Sequence, residues 1–286
     1  MKISITSYSY GQSINRDGFT IFDAMRHAKT IADGFEFSGI PTPEGKDPVE
    51  FAAEIKAFAD SIDLPIVCYA IGANLMEEDL DAEVQRVCRE VDVAAALGAP
   101  VMRHDVAWGF PAWYKGLRTF EAVLPRLAEG CRRITEYAAA KGIRTCSENH
   151  GHFVQDSDRI VALINAVNHP NYGALCDLGN FLCADDVSNI AVGKVAPLAF
   201  HVHAKDFLVK EGKMRDPGAG WFRSRGGTYL RGTIIGHGEV PVEQDLWILK
   251  NAGYDGYVTV EFEGSERCPD AIVTGAENLK RYISNL

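Results

Sequence analysis

The amino-acid sequence predicts an α/β protein that folds as a single (β/α)8 TIM barrel with a long insertion after the seventh strand. Eight short apolar runs alternate with longer amphipathic segments along the whole chain, a pattern typical of parallel strands joined by helices. The chain has 286 residues, 47% of them hydrophobic, which is enough for one such barrel or for two ordinary domains. No segment resembles a linker, so we expect residues 1–286 to form one domain.

Each predicted strand is a short run rich in apolar and β-branched residues. The eight runs are Ile3–Tyr8, Gly34–Phe37, Pro65–Ala70, Pro100–His104, Ile143–Glu148, Gly173–Asp177, Ala199–Lys205 and Tyr257–Phe262. Active sites of such barrels lie where the strands end. Polar residues at the carboxyl ends of these runs are therefore candidates for one shared site.

The predicted helices carry apolar residues at helical spacing. In Leu80–Leu97, Val84, Val87 and Val91 share one face, and Gly98 ends the helix. Proline is tolerated at the start of a helix and not in its interior, so we expect the fourth helix to span Pro125–Ala140. The other assigned helices are Phe22–Ala32, Pro48–Ile62 and Asp270–Ser284.

One connection, at about 210–238, breaks the alternation and is rich in glycine, arginine and aromatic residues. A connection of this length without regular structure usually acts as a lid or a binding loop. Three roles are open for its arginines: binding a phosphate through bidentate contacts, contacting a partner subunit, or facing solvent. These arginines are Arg215, Arg223, Arg225 and Arg231. We expect a homo-oligomer, since a neighbouring subunit could order this loop.

The overall charge and composition favour a small-molecule partner. The formal net charge of −10 disfavours binding to a phosphate backbone, so we expect no nucleic-acid partner. No apolar stretch is long enough to cross a bilayer, and residues 1–8 alternate like a strand instead of forming the apolar block of a signal peptide. We therefore expect a cytoplasmic protein with no membrane partner. The seven cysteines show neither zinc spacing nor a disulfide framework and are expected to be reduced.

The seventh predicted strand has a polar row on one face. His201, His203 and Lys205 alternate with apolar residues, so their side chains point to the same side. One histidine in such a place is readily satisfied by water or backbone. Two histidines and a lysine are costly to bury unless something binds them.

Acidic residues end the neighbouring strands. Glu148 ends the fifth predicted strand, Asp177 ends the sixth, and Glu261 lies near the end of the eighth. Each acid taken alone could be a strand-end cap or a surface charge, but carboxylates that converge on one rim repel one another unless a cation neutralises them. Three carboxylates and an imidazole suit Mn²⁺, Mg²⁺, Co²⁺ or Zn²⁺. Mn²⁺ is the expected ion.

These residues resemble those of a known family, the xylose-isomerase-like barrels of sugar and sugar-phosphate isomerases and epimerases. The motifs that carry the resemblance are Glu148-Asn149-His150-Gly151, Asp177-Leu178-Gly179-Asn180, His203-Ala204-Lys205-Asp206, Gly236-His237-Gly238-Glu239-Val240 and Glu261-Phe262-Glu263. In that family the histidine of His-x-Lys-Asp is the imidazole ligand. The resemblance therefore implies Glu148, Asp177, His203 and Glu261 as metal ligands. It leaves His201 behind the ligands or facing the substrate.

The resemblance also implies keto–enol chemistry on a keto-sugar or sugar phosphate. One of the two glutamates, Glu148 and Glu261, removes a proton beside a carbonyl and the other returns one. A Lewis-acidic metal stabilises the enediolate by several kcal/mol. Both glutamates are thus predicted to be catalytic as well as ligating.

Other polar residues near the strand ends are candidates for substrate contacts, although a structural role is equally open for each. They are His150, His152, His201, Lys205, Arg103, His104, Glu36 and Tyr8. On the seventh strand we expect Lys205 to face the pocket and Asp206 to be structural. The role of His237 is open, since the family often has an acid there.

Two other functions remain open. A dehydratase or lyase acting on an inosose or a 3-keto-glycoside begins with the same proton abstraction and then expels a leaving group. The related abasic-site endonucleases hydrolyse phosphodiesters with a three-metal cluster. That cluster needs additional histidines, and Asn180 stands where one of them would be.

Overall fold

The computed structural model describes residues 1–286 and contains a closed barrel of eight parallel strands. The barrel strands are β1 (Lys2–Thr6), β2 (Gly34–Ser38), β3 (Ile66–Ile71), β4 (Val101–His104), β5 (Arg144–Glu148), β6 (Tyr172–Asp177), β7 (Ala199–Ala204) and β11 (Tyr257–Val260). Sequential strands are neighbours, and β1 closes the barrel by pairing with both β2 and β11. The predicted fold class is confirmed.

Nine α-helices connect or flank the strands. They are α1 (Gly11–Arg16), α2 (Ile21–Lys29), α3 (Pro48–Ser61), α4 (Leu80–Leu97), α5 (Phe120–Ala139), α6 (Ser157–Val167), α7 (Ser188–Val195), α8 (Val242–Asn251) and α9 (Cys268–Ser284). Local sequence determines where helix α4 begins and ends. The Asp79 side chain accepts a hydrogen bond from the Ala82 N–H at its start, and Gly98 ends it with φ +70°. None of the helices combines the length and the apolar character that crossing a bilayer requires.

The main hydrophobic core lies between the barrel and its helices and contains 71 buried residues. A separate apolar cluster of five buried residues includes Cys68, Cys146 and Leu175. These three are paired in register with Glu36, Arg103 and His201, respectively. The polar residues of the barrel therefore stand directly beside a small apolar floor.

Five strands end one or more residues away from the predicted position, and three of these differences matter for the site. β1 ends at Thr6, so Tyr8 lies in a 3₁₀ turn at Ser7–Tyr10. β7 ends at Ala204 and β11 at Val260. Lys205 and Glu261 therefore lie just beyond their strands, at the mouth of the barrel.

The prediction that the fourth helix begins at Pro125 is wrong. Helix α5 begins at Phe120, capped by the Thr119 hydroxyl, and Pro125 lies inside it. Proline removes the N–H that would otherwise bond to the Glu121 carbonyl. Both residues are exposed, so water can satisfy that carbonyl, and the apolar face of the helix continues on the buried side.

The prediction of an unstructured loop at 210–238 is also wrong. The insertion after β7 forms a three-stranded antiparallel sheet from β8 (Asp206–Lys210), β9 (Phe222–Arg223) and β10 (Tyr229–Thr233), in the order β8-β10-β9. The sheet pairs within one chain. The expectation of a homo-oligomer stays a prediction.

Candidate active site

A cavity of about 590 Å³ opens at the carboxyl ends of the barrel strands. Five of its lining residues are charged or titratable and come from different strands or from the residue that follows a strand. They are Glu36, Arg103, Glu148, His203 and Glu261. The parallel arrangement places these side chains on one rim, as the sequence predicts.

Three carboxylates surround one imidazole nitrogen at the floor of this cavity. The Nδ1 atom of His203 lies 2.7 Å from Glu261 Oε2, 3.8 Å from Glu148 Oε1 and 3.9 Å from Asp177 Oδ2. One potential ligand atom from each of these four residues lies within 4.8 Å of the others. The structure thus brings together the four residues that the sequence suggests as metal ligands.

Asp177 shows that this cluster suits a cation. Its Oδ1 accepts hydrogen bonds from the backbone N–H groups of Gly179 and Asn180, whereas its buried Oδ2 accepts none. Burial and the charges of Glu261 and Glu148 raise the pKa of Asp177 to about 7, despite the Lys205 ammonium 3.5 Å away. An unsatisfied carboxylate oxygen among other carboxylates fits a hard divalent ion.

The other nitrogen of His203, Nε2, contacts the buried carboxylate of Glu36. Nε2 lies 2.9 Å from both carboxylate oxygens of Glu36, which is fully buried. Burial opposes ionisation of Glu36, but His203 and His201 keep its pKa below the usual range. A carboxylate on Nε2 fixes the imidazole ring with Nδ1 directed at the cluster, the arrangement common for metal-binding histidines.

A second chain of contacts begins at Glu148. The Arg103 guanidinium lies 2.6 Å from Glu148 Oε2 and 2.7 Å from Asp105 Oδ1. Asp105 also contacts His150 Nδ1 at 3.0 Å. Burial disfavours the charged imidazole, but the bond to Asp105 and the charge of Glu148 raise the pKa of His150 above its usual value. The cationic form of the His150 imidazole is therefore favoured beside the cavity.

Lys205 places a positive charge on the opposite side of the cluster. Its ammonium lies 3.3 Å from Glu261 and 3.4 Å from Glu263, and it donates to Asn180 Oδ1 at 3.2 Å. The Asn180 amide nitrogen in turn donates to Glu148 Oε1 at 2.9 Å. Asn180 therefore orients a proposed ligand and does not supply the additional histidine of a three-metal centre.

Three of the predicted substrate contacts lie outside the cavity. His104 points away from Arg103 across the β4 strand, and its ring lies 6.2 Å from that of Tyr172 in the layer beneath the helices. His152 is exposed and does not line the cavity. His201 is buried deeper, with Nε2 2.8 Å from Glu36. His201 thus lies behind the proposed ligands, one of its two expected places, and substrate contact by His104 and His152 stays a prediction that the cavity lining does not support.

The remaining predicted residues, His150, Lys205, Arg103, Glu36 and Tyr8, do line the cavity. His237 is exposed in the turn before Glu239 and does not. Asp206 accepts four backbone hydrogen bonds, from Phe207, Gly236, Gly238 and Val240.

Sequence reasoning missed Asp105, Trp108 and the Tyr69–Glu90 pair. Asp105 directly follows the last residue of β4, so an acid immediately after a strand end was the available signal. Trp108, exposed at the rim, packs edge-on against His150 with ring centroids 5.5 Å apart. Tyr69 donates to Glu90 at 2.7 Å, and no pattern in the sequence links these two residues.

Comparison with known proteins agrees with this architecture. D-psicose 3-epimerase from Clostridium cellulolyticum H10 superposes with a TM-score of 0.74 at 17% identity, over 99% of both chains. The probable 3-DHS dehydratase AsbF of Bacillus anthracis gives 0.74 at 16% identity, over 98% of this chain and 99% of that one. At these identities the likeness concerns the fold alone.

Curated relatives match part of the chain. Inosose dehydratase of Yersinia enterocolitica is 27% identical over 148 residues, which is 48% of this chain and 47% of that protein. The Clostridium perfringens enzyme of the same name is 28% identical over 140 residues, 48% of this chain and 46% of that protein. The chain therefore spans about half the length of the curated relatives it matches.

A family model described as xylose isomerase-like TIM barrel matches residues 22–282. That range includes all the strands from β2 to β11 and every residue of the four-membered cluster. The chain belongs to the xylose isomerase-like TIM barrel family.

Proposed function

We propose that the protein is a divalent-metal-dependent epimerase or isomerase of a keto-sugar. The observation that carries the proposal is the cluster of Glu148, Asp177, His203 and Glu261, whose potential ligand atoms lie within 4.8 Å of one another. Two of these four are glutamates from different strands of the barrel. The same cluster can therefore hold a metal and move a proton.

The proposed ligands are the three carboxylates and His203 Nδ1. This set is rich in oxygen and contains one borderline nitrogen, so it suits Mn²⁺, with Mg²⁺, Co²⁺ and Zn²⁺ as further candidates. When bound, such an ion supplies Lewis acidity to a substrate carbonyl and its neighbouring hydroxyl.

The glutamates carry the proton transfer. One carboxylate takes the proton from the carbon beside the carbonyl, so that the C–H bond breaks and its electron pair forms the C=C bond of an enediolate. The other carboxylate returns a proton to the opposite face of that carbon. This restores the carbonyl and inverts the configuration of the carbon beside it. Glu261 Oε1 accepts no hydrogen bond within the chain and is free to take part. Glu148 is held by Arg103 and Asn180.

Deuterium uptake tests this proposal. In D₂O, the metal-loaded protein should incorporate deuterium beside the carbonyl of a keto-sugar substrate. Glu148→Gln and Glu261→Gln should each abolish the uptake, because an amide cannot accept the proton. Glu90→Gln is the control, since Glu90 lines the same cavity but is bonded to Tyr69. Uptake retained in both glutamate variants overturns the assignment, as does a metal content far from one ion per chain.

A dehydratase is the second candidate, and His150 favours it. Its raised pKa and its place on the cavity wall allow a protonated imidazole to donate a proton to a leaving hydroxyl, which departs as water. The curated relatives named inosose dehydratase point the same way. The mass of the product separates the two reactions, because a dehydratase product is lighter by one water. His150→Gln should then slow elimination more than deuterium uptake.

A further inference from the structure

A second cavity of about 590 Å³ adjoins the first at the barrel mouth. The two share a wall formed by Tyr8, Ser38, Gly39, Ile40 and Glu263. Each volume alone falls within the range of about 300–1,000 Å³ that is usual for small-molecule sites. The combined space is larger than one sugar ring requires.

The lining of the second cavity exposes more apolar than polar surface and has a few free hydrogen-bonding groups. Four of its residues are Ile14, Ile21, Ile40 and Phe262. The Gln12 amide nitrogen donates to the Gly264 carbonyl at 2.8 Å, which leaves its Oε1 free. The exposed Asn15 side chain makes no hydrogen bond within the chain. Apolar surface with a few unpaired amides suits a neutral ring or an apolar substituent.

Neither cavity suits a phosphate group. In the first cavity, six carboxylates face three cationic side chains and two histidines, so acidic groups outnumber basic ones around any phosphate placed there. Each of those cations is already paired: Arg86 with Glu83, Arg103 with Glu148, and Lys205 with Glu261. The only charged residue of the second cavity is Glu263.

None of the four arginines of the insertion lines either cavity, and two of them have other partners. Arg225 binds Asp156 at 2.9 Å and the His152 carbonyl at 2.6 Å, and Arg223 stacks on Tyr229 at 4.2 Å from the ring centroid. A phosphate bound in either cavity would therefore not contact these arginines.

From these observations we infer that the substrate is an uncharged glycoside. Its reacting keto ring occupies the cavity of the four-residue cluster, and its glycosidic substituent occupies the second cavity. The chemistry in this assignment rests on the proposed function. The substrate class rests on the residues that the two cavities share and on the charges of their linings. Phosphorylated sugars are predicted to be poor substrates.

Gly11 offers a way to block the second cavity alone. It lines that cavity, its φ of −53° is compatible with any side chain, and a Cβ there meets no heavy atom within 4 Å. Gly11→Phe, with Gly11→Leu as a smaller second variant, should fill the space without contacting the four-residue cluster. Gly193→Phe in α7 is the matched control, because Gly193 is an exposed helical glycine with the same free space and lines neither cavity.

The experiment compares kcat/KM for deuterium uptake with an aryl 3-keto-glucoside, the unsubstituted 3-keto-glucose and a ketohexose phosphate. Wild type should favour the glycoside over the free sugar by about tenfold or more, and Gly11→Phe should lower that ratio about tenfold, whereas Gly193→Phe should not. A ratio near one in wild type, a ratio unchanged by both Gly11 variants, or a preference for the phosphate overturns the inference.

Failure of the proposed chemistry gives a different result, namely no deuterium uptake from any of the three compounds. Calorimetric binding to the metal-loaded protein then still decides the substrate class. Glycoside binding weakened by Gly11→Phe supports the second cavity as a subsite, and equal binding of glycoside and free sugar overturns it.

Discussion

Glu36 determines how His203 presents its ring, although it is not one of the four clustered residues. Both of its oxygens lie 2.9 Å from Nε2, and it is completely buried. Its place in the middle of β2 is a consequence of alternation, which turns it into the barrel between Phe35 and Phe37. Glu36 therefore acts as a positioning residue.

Replacing Glu36 tests the metal centre without removing a ligand. Glu36→Gln should weaken Mn²⁺ binding about 10- to 100-fold, because a neutral amide holds the Nε2–H of His203 less firmly than a carboxylate does. Titration calorimetry with Mn²⁺ measures the effect directly. Glu90→Gln, in the same cavity but away from His203, should bind Mn²⁺ as wild type does. Equal affinities for wild type and Glu36→Gln would contradict the role assigned to Glu36.

At this scale the sequence predicts which residues meet, but not how deep they lie. Alternation correctly places His201, His203 and Lys205 on one face, yet His201 lies one layer below the cavity and contacts Glu36 and Thr259. Arg103 and His104 are adjacent on β4, so only one can face inward. Which one does so depends on the pairing of β4 with its neighbours, and that pairing cannot be read from one strand.

The contact between α7 and α8 contains a buried acid. Ser188 begins α7, and its hydroxyl lies 2.7 Å from the Leu178 carbonyl and 2.8 Å from Asp245 Oδ2 in α8. A hydroxyl has one hydrogen, so if it donates to the carbonyl, the carboxyl group must be the donor to Ser188. Burial raises the pKa of Asp245 to about 7, in agreement with a protonated acid.

Asp245 should therefore make the protein less stable as the pH rises. The folded state keeps this proton up to about pH 7, whereas the unfolded state loses it near pH 4. Stability falls across that window, by on the order of 4 kcal/mol from this group, and is level above it. Asp245→Asn should abolish that contribution and be more stable than wild type at pH 8.

Urea unfolding at pH 5 and pH 8 measures the difference between wild type and Asp245→Asn. Glu129→Gln, an exposed position on α5, serves as the control and should follow wild type at both values. A stability difference that is the same at pH 5 and pH 8 would contradict the assignment.

Helix α5 contains Pro125 in its interior, where a proline usually interrupts a helix. The residues on either side have helical periodicity, and the tertiary packing of Val123 and Leu127 extends the helix through Pro125. Tertiary contacts thus outweigh a local signal, which is why the predicted start of this helix is wrong.

Pro125→Ala should stabilise the protein by up to about 3 kcal/mol, because it restores the missing N–H and removes the ring from the exposed helix interior. Pro48→Ala is the matched control: Pro48 is the first residue of α3, where proline is favourable, so the change should be neutral or slightly destabilising. Urea midpoints at constant m-value give both numbers. A destabilised Pro125→Ala would show that the ring makes a needed contact.

The four-residue cluster joins side chains from half of the barrel. Its members come from β5, β6, β7 and the end of β11, which are consecutive around half of the barrel. An ion held there would link four strands, so its binding free energy would add to the stability of the complete fold.

Mn²⁺ at a hundred times its dissociation constant should thus stabilise the protein by about 2.7 kcal/mol. The expected rise in Tm is roughly 2–4 °C per kcal/mol for a chain of this class, and a chelator should reverse it. Differential scanning calorimetry with and without Mn²⁺ provides the test, and Asp177→Asn should lose most of the shift. An equal rise in that variant would place the ion elsewhere.

The barrel could be predicted because eight units repeat the same strand–helix pattern. An error in the bounds of one element does not change the prediction that the eight strands form a closed barrel. The insertion after β7 occurs once and has no such repetition. Its glycines indicated a loop, while the alternating Phe207, Val209 and Leu230 already carried the signal of paired strands.

Asp206 fastens both ends of that insertion at a single point. Its two oxygens bind the N–H of Phe207, where the excursion leaves the barrel, and those of Gly236, Gly238 and Val240, where it returns. Gly238 fits against this carboxylate because a Cβ there would lie 2.2 Å from Oδ1. Because both ends of the insertion are held at one carboxylate, a change in the peptide between them should leave the neighbouring Lys205 in place, while Arg225 of that peptide keeps its own contact with Asp156 outside it.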